Sequence, residues 1–402
     1  MRLLAVGLLA AALAWGQLPA DRLGLYQWVS VPPSGDADLL TAARLETTEL
    51  GLGAFRLYLG ARFDYRRPYL APGRFGGEID GPVTPAAILG LPRYAAVLDD
   101  PKLSTVMLTV YESRNYGGGS DDLNLLRPWS STDQQAVRDQ IGALCELLYS
   151  RWGQAPKTVI LANHEADEKL MEILQHTRGD LDRARANLVA WTLARQAAVE
   201  SARAAHPEAR LRVLTAFEVS ILNLRVASTA GRYQKTRLVH GVTALAEVVP
   251  HIRTDLISYS SYESVNSPYE TLDASAPPEA IAGRLERDLD RIREAAAGSV
   301  SPYGRELFGD RYVMLGELGF AREKFDSLPS GGVLPRLHQA LQTAFAWGSP
   351  YVVLWQAFDS PRLGAEGWGY GVFDREGRPP ALNPFSTGCD SVAVCLKTWA
   401  AR

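Results

Sequence analysis

Along most of the chain, short apolar runs alternate with longer stretches whose apolar residues recur at helical spacing. Val313-Met314-Leu315 is apolar on successive positions, as is Val159-Ile160-Leu161-Ala162, the mark of a parallel strand buried on both faces. Strand and helix in repeated alternation form the pattern of βα units. The pattern predicts eight strands, at residues 23–29, 53–59, 104–111, 158–165, 211–218, 255–262, 312–320 and 351–355. Helices are predicted around 37–50, 85–98, 180–205, 238–249, 277–297 and 332–347, with one more capped by Ser131 or Thr132 and running to Trp152. Asp133 in the first turn of that helix suits its positive end, and Pro207 stops the helix that begins at Asp180. With no internal repeat and no low-complexity linker, this predicts one α/β domain, a closed (β/α)8 TIM barrel with long βα loops.

Two excursions interrupt the alternation. Residues 61–82 are rich in Gly and Pro and carry Tyr65, Arg66, Arg67 and Tyr69; a second loop runs through Gly117-Gly118-Gly119 to Trp129. Loops this long in a compact domain are usually functional or mobile, and arginine with tyrosine suits a cleft wall. The 402 residues leave room for a barrel of about 250 residues and its insertions. A net charge of −3 gives no electrostatic reason to expect nucleic acid or an anionic membrane as partner. The triple glycine lacks the lysine and the strand–helix setting of a phosphate loop. No pair among the six histidines shows ligand spacing, so neither a cofactor nor a catalytic metal is expected.

The N-terminus reads as a signal peptide. Met1-Arg2 precedes an apolar run, Leu3 to Trp15, that is too short to span a bilayer. Ala14 and Gly16 are the small residues a signal peptidase reads, so residues 1–16 are expected to be removed and the mature domain to be 17–402; cleavage after Ala14 is the alternative. No other stretch reaches transmembrane length. The expectation is a secreted or periplasmic monomer without membrane insertion. Export permits disulfides, so Cys389 and Cys395 in the short C-terminal tail either close a small loop or remain two free thiols. Cys145, on an apolar helix face, is read as a core residue.

Candidate chemistry gathers at the strand ends. Strand 312–320 opens after Leu315 into Gly316-Glu317-Leu318-Gly319, and strand 158–165 ends in Asn163-His164-Glu165. In a (β/α)8 barrel the C-terminal strand ends hold the catalytic residues, and two glutamates there suit the two-carboxylate hydrolysis of glycosides. A third carboxylate, Glu218, ends strand 211–218 and is read as solvated or arginine-paired. Arg56 interrupts an apolar strand and needs a carboxylate partner, because a buried unpaired guanidinium is very costly.

Together these strand ends resemble the clan A glycoside hydrolases, retaining (β/α)8 enzymes with an acid/base after strand four and a nucleophile after strand seven. The resemblance spans nearly the whole mature chain through short motifs. Gly316-Glu317-Leu318-Gly319 is similar to the nucleophile strand and Ala162-Asn163-His164-Glu165 to the acid/base strand, which implies Glu317 as nucleophile and Glu165 as proton donor. Phe55-Arg56-Leu57-Tyr58 is similar to the second strand, which implies that Arg56 pairs with Glu317 and lowers its pKa. The sixth-strand likeness implies Tyr262 as a hydroxyl donor to Glu317. Leu354-Trp355-Gln356 is similar to the eighth strand, which implies Trp355 as the floor of a sugar subsite.

Two departures bear on the substrate more than on the reaction. The clan places Asn directly before the acid/base, whereas here His164 stands between Asn163 and Glu165; one subgroup uses His-Glu, which implies that His164 takes the Asn role of touching the substrate's 2-hydroxyl, with Asn163 also a substrate-binding candidate. Ser260 stands where many members have His. The resemblance implies an oligo- or polysaccharide substrate. A catalytically inactive carbohydrate-binding or cell-envelope protein on the same barrel is the competing reading. Either glutamate alone could instead cap a helix or pair with an arginine, and Trp28, Tyr58, Tyr111, Trp129 and Trp368 belong either to the cleft or to the core.

Overall fold

All eight predicted strands are present in the computed structural model: β1 (Leu23–Gln27), β2 (Ala54–Leu59), β3 (Thr105–Val110), β4 (Thr158–Ala162), β5 (Arg212–Val219), β6 (Leu256–Ser260), β7 (Val313–Leu318) and β8 (Val352–Trp355). Each is parallel to its neighbours and β1 pairs with β8, so the sheet closes into a barrel in sequence order. The structure describes residues 18–28, 38–61, 63–66, 75, 77–112, 125, 128–222, 242–265, 277–320, 332–359, 371–373 and 391–400. The expected signal peptide, Arg67, Tyr69, the triple glycine, Trp368 and Cys389 lie outside them. Apart from Arg212 and Trp355 every strand residue is buried. The strands have the barrel interior on one side and helices on the other.

Among the described residues the helices are α1 (Leu39–Glu49), α2 (Pro85–Gly90), α3 (Pro92–Asp99), α4 (Ser131–Trp152), α5 (Ala166–His176), α6 (Leu181–Ala205), α7 (Ala244–Glu247), α8 (Tyr262–Val265), α9 (Pro278–Ala295), α10 (Pro302–Phe308), α11 (Val333–Trp347) and α12 (Val392–Ala400). None is long and apolar enough to cross a membrane. The predicted helix over 85–98 is two helices, because Pro92 holds Leu91 extended at φ −64° and ψ 140°. The cap of α4 is Ser130, one residue earlier than expected: its hydroxyl accepts from the Asp133 N–H while the Asp133 carboxylate accepts from the Ser130 N–H, a reciprocal capping box. Of the helix predicted at 238–249, only α7 and a short 3-10 turn at Val249–His251 lie in the described residues. Cys145 is fully buried in α4 and free, its thiol pushed up to about 12 by burial, as befits a core residue. Cys395 is disulfide-bonded.

Two local features shape the upper end of the barrel. Tyr65, expected on a cleft wall, is instead buried: its hydroxyl accepts from the Tyr58 N–H (2.6 Å) and donates to the Gln27 carbonyl (2.7 Å), tying the loop after β2 to β1. In β7 the register slips. Tyr259 pairs with Leu315 but Ser260 pairs with Glu317, and on the other side Leu315 pairs with Val352 and Leu318 with Leu354. Gly316 is thus one residue too many, a bulge that re-aims the residue after it.

Candidate active site

Arg56 sits at the centre. It is 0% exposed, and its guanidinium lies 4.3 Å from the Tyr26 ring centroid. Each N–H group has a target: Nε donates to Thr109 Oγ1, Nη1 to Glu218 Oε2 (2.5 Å) and the Gly316 carbonyl, and Nη2 to Glu218 Oε1 (2.9 Å) and the Asn163 carbonyl. Its bidentate partner is therefore Glu218 from β5, whereas the resemblance assigned Glu317, whose Oε1 lies 3.8 Å away. Glu218 meets both arms of the fork across the barrel interior, and the β7 bulge sets Glu317 opposite Ser260. Two further donors complete Glu218: Ser258 Oγ (2.7 Å) and the Glu165 N–H (3.2 Å). Of the two states expected for Glu218, solvated or arginine-paired, it adopts the second.

Glu165 and Glu317 meet at Ser260. The Ser260 hydroxyl lies 2.8 Å from Glu165 Oε1 and 3.3 Å from Glu317 Oε2, and Tyr262 donates to the same Oε2 at 3.3 Å, as the resemblance implied. Glu317 is 2% exposed, and its Oε1 accepts no hydrogen bond among the described residues. Burial pushes the Glu317 carboxyl up to about 8; the charge of Glu218 adds to the rise and Arg56 opposes it. Burial, then Glu168 and Glu317, hold Glu165 well above the ordinary carboxylate range. Thus Arg56 does not lower Glu317 below its ordinary value, because its charge is already matched by Glu218.

His164 points into the same space, with Nε2 3.8 Å from Glu317 Oε1 and Nδ1 3.8 Å from Glu168. Burial, helped by Arg56 and Lys169, holds its pKa well below the ordinary value, so the ring is neutral at pH 7. Tyr111 fixes the backbone there: its hydroxyl accepts from the His164 N–H (3.0 Å) and donates to the His164 carbonyl (3.1 Å). Asn163 does not join the site. Its Oδ1 accepts from the Glu218 N–H (2.9 Å) and its Nδ2 donates to the Glu218 carbonyl (3.2 Å), so its amide is spent on β5 and it is 2% exposed. Successive residues at a strand end turn to different sides, and here it is His164 that faces the cleft.

Aromatic rings line one side. Trp28 stands edge-on to His164 (4.2 Å between centroids) and to Trp355 (5.6 Å), and lies parallel to Tyr58 at 5.6 Å. Trp28 and Trp355 are each partly exposed. One donor atom each from His164, Glu165 and Glu317 lie within 4.8 Å of one another, so these three could also hold a cation, although Arg56 already places a fixed positive charge 3.8 Å from Glu317. Spacing along the chain could not reveal this trio, since it is assembled from β4 and β7. Ser260, visible in the sequence only as the lack of a histidine, Ser258, and Tyr111 and Trp28, left between cleft and core, are among the residues whose places the sequence did not disclose.

No protein-family model matches the chain, and no curated protein matches its sequence. Solved structures do resemble it. The AHE enzyme from Alicyclobacillus herbarius aligns with a TM-score of 0.54 at 11% identity, over 96% of this chain and 98% of that one. A family 5 glycoside hydrolase of subfamily 18 from Streptomyces cattleya, in complex with Manβ1-4GlcNAc, aligns with a TM-score of 0.50 at 15% identity, over 94% and 80%. Its counterpart from Bifidobacterium longum gives 0.50 at 14% identity, over 94% and 78%. At these identities the likeness is one of fold: this chain is built on the (β/α)8 barrel that those two glycoside hydrolases use.

Proposed function

We propose that the protein is an exported, retaining glycoside hydrolase that cleaves a β-linked glycan by double displacement, with Glu165 as acid/base and Glu317 as nucleophile. The observation that carries this reading is the pair itself, with carboxyl oxygens within 4.8 Å of each other and one serine hydroxyl touching both. Retaining hydrolysis uses two carboxyl groups about 5–5.5 Å apart, one protonated and one charged. Ser260 has a single hydrogen to give. Its two contacts are both satisfied when a protonated Glu165 donates to Ser260 Oγ and Ser260 donates to Glu317 Oε2. The raised pKa of each carboxyl agrees with one proton held between them.

In the first step Glu165 gives its proton to the glycosidic oxygen as Glu317 Oε1 attacks the anomeric carbon and the bond to the leaving group breaks. In the second, Glu165 takes a proton from a water whose oxygen attacks the same carbon and releases Glu317. Tyr262 and Ser260 hold the other oxygen, Oε2, so the attacking atom is fixed. In this reading neutral His164 touches a sugar hydroxyl, and Trp28 and Trp355 stack on sugar C–H faces. Export rests on the apolar segment Leu3 to Trp15 and on the disulfide at Cys395; N-terminal sequencing of secreted protein should return Gln17 or Trp15, and an intact Met1 in a cytosolic fraction contradicts it.

The rise of the Glu317 carboxyl to about 8 favours one second reading, a barrel that binds glycans without cleaving them. The deciding experiment is a screen of purified protein against aryl β-glycosides and plant and bacterial polysaccharides between pH 5 and 9, with Glu317→Ala as control. Turnover lost in that variant supports hydrolysis. Glycan binding without turnover at any pH selects the second reading.

A further inference from the structure

The groups facing Glu317 come from five strands and the turn after them: Tyr26 from β1, Arg56 from β2, His164 and Glu165 from the end of β4, Glu218 from β5, Ser260 from β6 and Tyr262 at the start of α8. Arg56 is the cation among them, and its fork is closed on Glu218, not on Glu317. Glu218 is 0% exposed, and its donors among the described residues all belong to the site: Arg56 twice, Ser258 and the backbone of Glu165. An apolar residue at this position would free the Arg56 fork to close on the nearest remaining carboxylate, Glu317.

We propose that Glu218 is a positioning residue: it takes the Arg56 charge to itself, keeps Glu317 out of a bidentate ion pair, and anchors Glu165 so that the two glutamates can share one proton. This rests on the proposed roles of Glu165 as acid/base and Glu317 as nucleophile. A carboxylate clamped in both arms of a guanidinium has its lone pairs committed, whereas Glu317 Oε1 accepts no hydrogen bond among the described residues. Glu218 thus acts through Arg56 and through the chain at residue 165, and touches no substrate.

The test is Glu218→Gln, which keeps the shape and removes the charge. Arg56 then turns to Glu317, and the titration midpoint of Glu317, followed by NMR on protein with carbon-13-labelled glutamate, falls by about one to two pH units. The acidic limb of kcat/KM against pH falls with it. A folded E218Q protein in which the Glu317 midpoint and the acidic limb stay at their wild-type positions overturns the proposal, since losing the Glu218 charge and gaining the Arg56 fork both lower that midpoint. Should E218Q fail to fold, the R56Q/E218Q double variant decides. With both charges gone the midpoint stays near wild type or falls; a midpoint that rises shows Arg56 acting on Glu317 unopposed and overturns the proposal. The NMR titration needs no substrate. Failure of the glycosidase reading would therefore show separately, as absent turnover beside the expected titrations.

Discussion

Gly316→Ala tests how closely the charged cluster is fitted to the β7 bulge. A Cβ added at 316 would lie 2.0 Å from Ser258 Oγ, 2.3 Å from Glu218 Oε2 and 2.8 Å from Arg56 Nη1. The backbone at 316 is not in the left-handed region, so the cost is one of packing. Ser258 can rotate away only by giving up its bond to Glu218, and the carboxylate can retreat only by opening the fork with Arg56. Disrupting one side of a buried ion pair costs about 3–5 kcal/mol, and overpacking a filled core typically costs about 1–3 kcal/mol. A small backbone shift relieves part of the clash, which leaves an expected loss of about 3–5 kcal/mol. At about 2.1 cal/mol/K of unfolding entropy per residue, the 402-residue chain should lose about 4–6 °C in Tm. Urea unfolding and calorimetry measure the two quantities. Gly142→Ala in α4 is the control: its Cβ meets nothing within 4 Å, and it should gain up to about 1 kcal/mol from helix propensity. A G316A protein within about 1 kcal/mol of wild type would refute the close fit of Arg56, Glu218 and Ser258 around the bulge.

Asn163→Ala should cost about 1–3 kcal/mol in urea unfolding, because it leaves the buried Glu218 N–H and carbonyl without their partner; a change in KM without a loss of stability would return Asn163 to the substrate. Ser260→Ala should lower kcat/KM by about 10- to 100-fold, the worth of a hydrogen bond to a charged group, with little change in Tm; full activity would show that the two carboxyls do not communicate through it. The native Glu165–Glu317 pair holds a proton up to about pH 8, the value to which burial raises the Glu317 carboxyl, while an unfolded glutamate releases it near 4.5. The native state therefore binds the extra proton between those values, and the stability that the raised pKa supplies at low pH is lost as pH rises through about 8. Compared with Glu317→Gln, which cannot titrate, the wild type should lose stability between pH 5 and 9 by a few kcal/mol; parallel curves would contradict the buried proton.

The sequence by itself determined the barrel and the strand ends on which its chemistry stands. Each strand is a local apolar run, and each helix a local period, so both could be read without knowing what lies across the molecule. The sequence also placed Glu165, Glu317 and Tyr262 at the ends of strands four, seven and six. Local pattern was weaker where polarity masked it: α5 begins Ala166-Asp167-Glu168-Lys169 directly after Glu165, and no helix is expected there from the sequence. Only the tertiary structure decided how the charges pair. Arg56 and Glu218 are 162 residues apart and meet through the barrel interior, a distance over which no local pattern carries information. When both faces of a strand are buried, alternation no longer tells which face a residue takes, so the sequence could not show that Asn163 turns to β5 while His164 turns to the cleft. Nor could it show that one extra residue, Gly316, would slip the register of β7 and set Glu317 opposite Ser260. The pairing of buried charges depends on register and on closure of the sheet, and those are fixed only when all eight strands are in place.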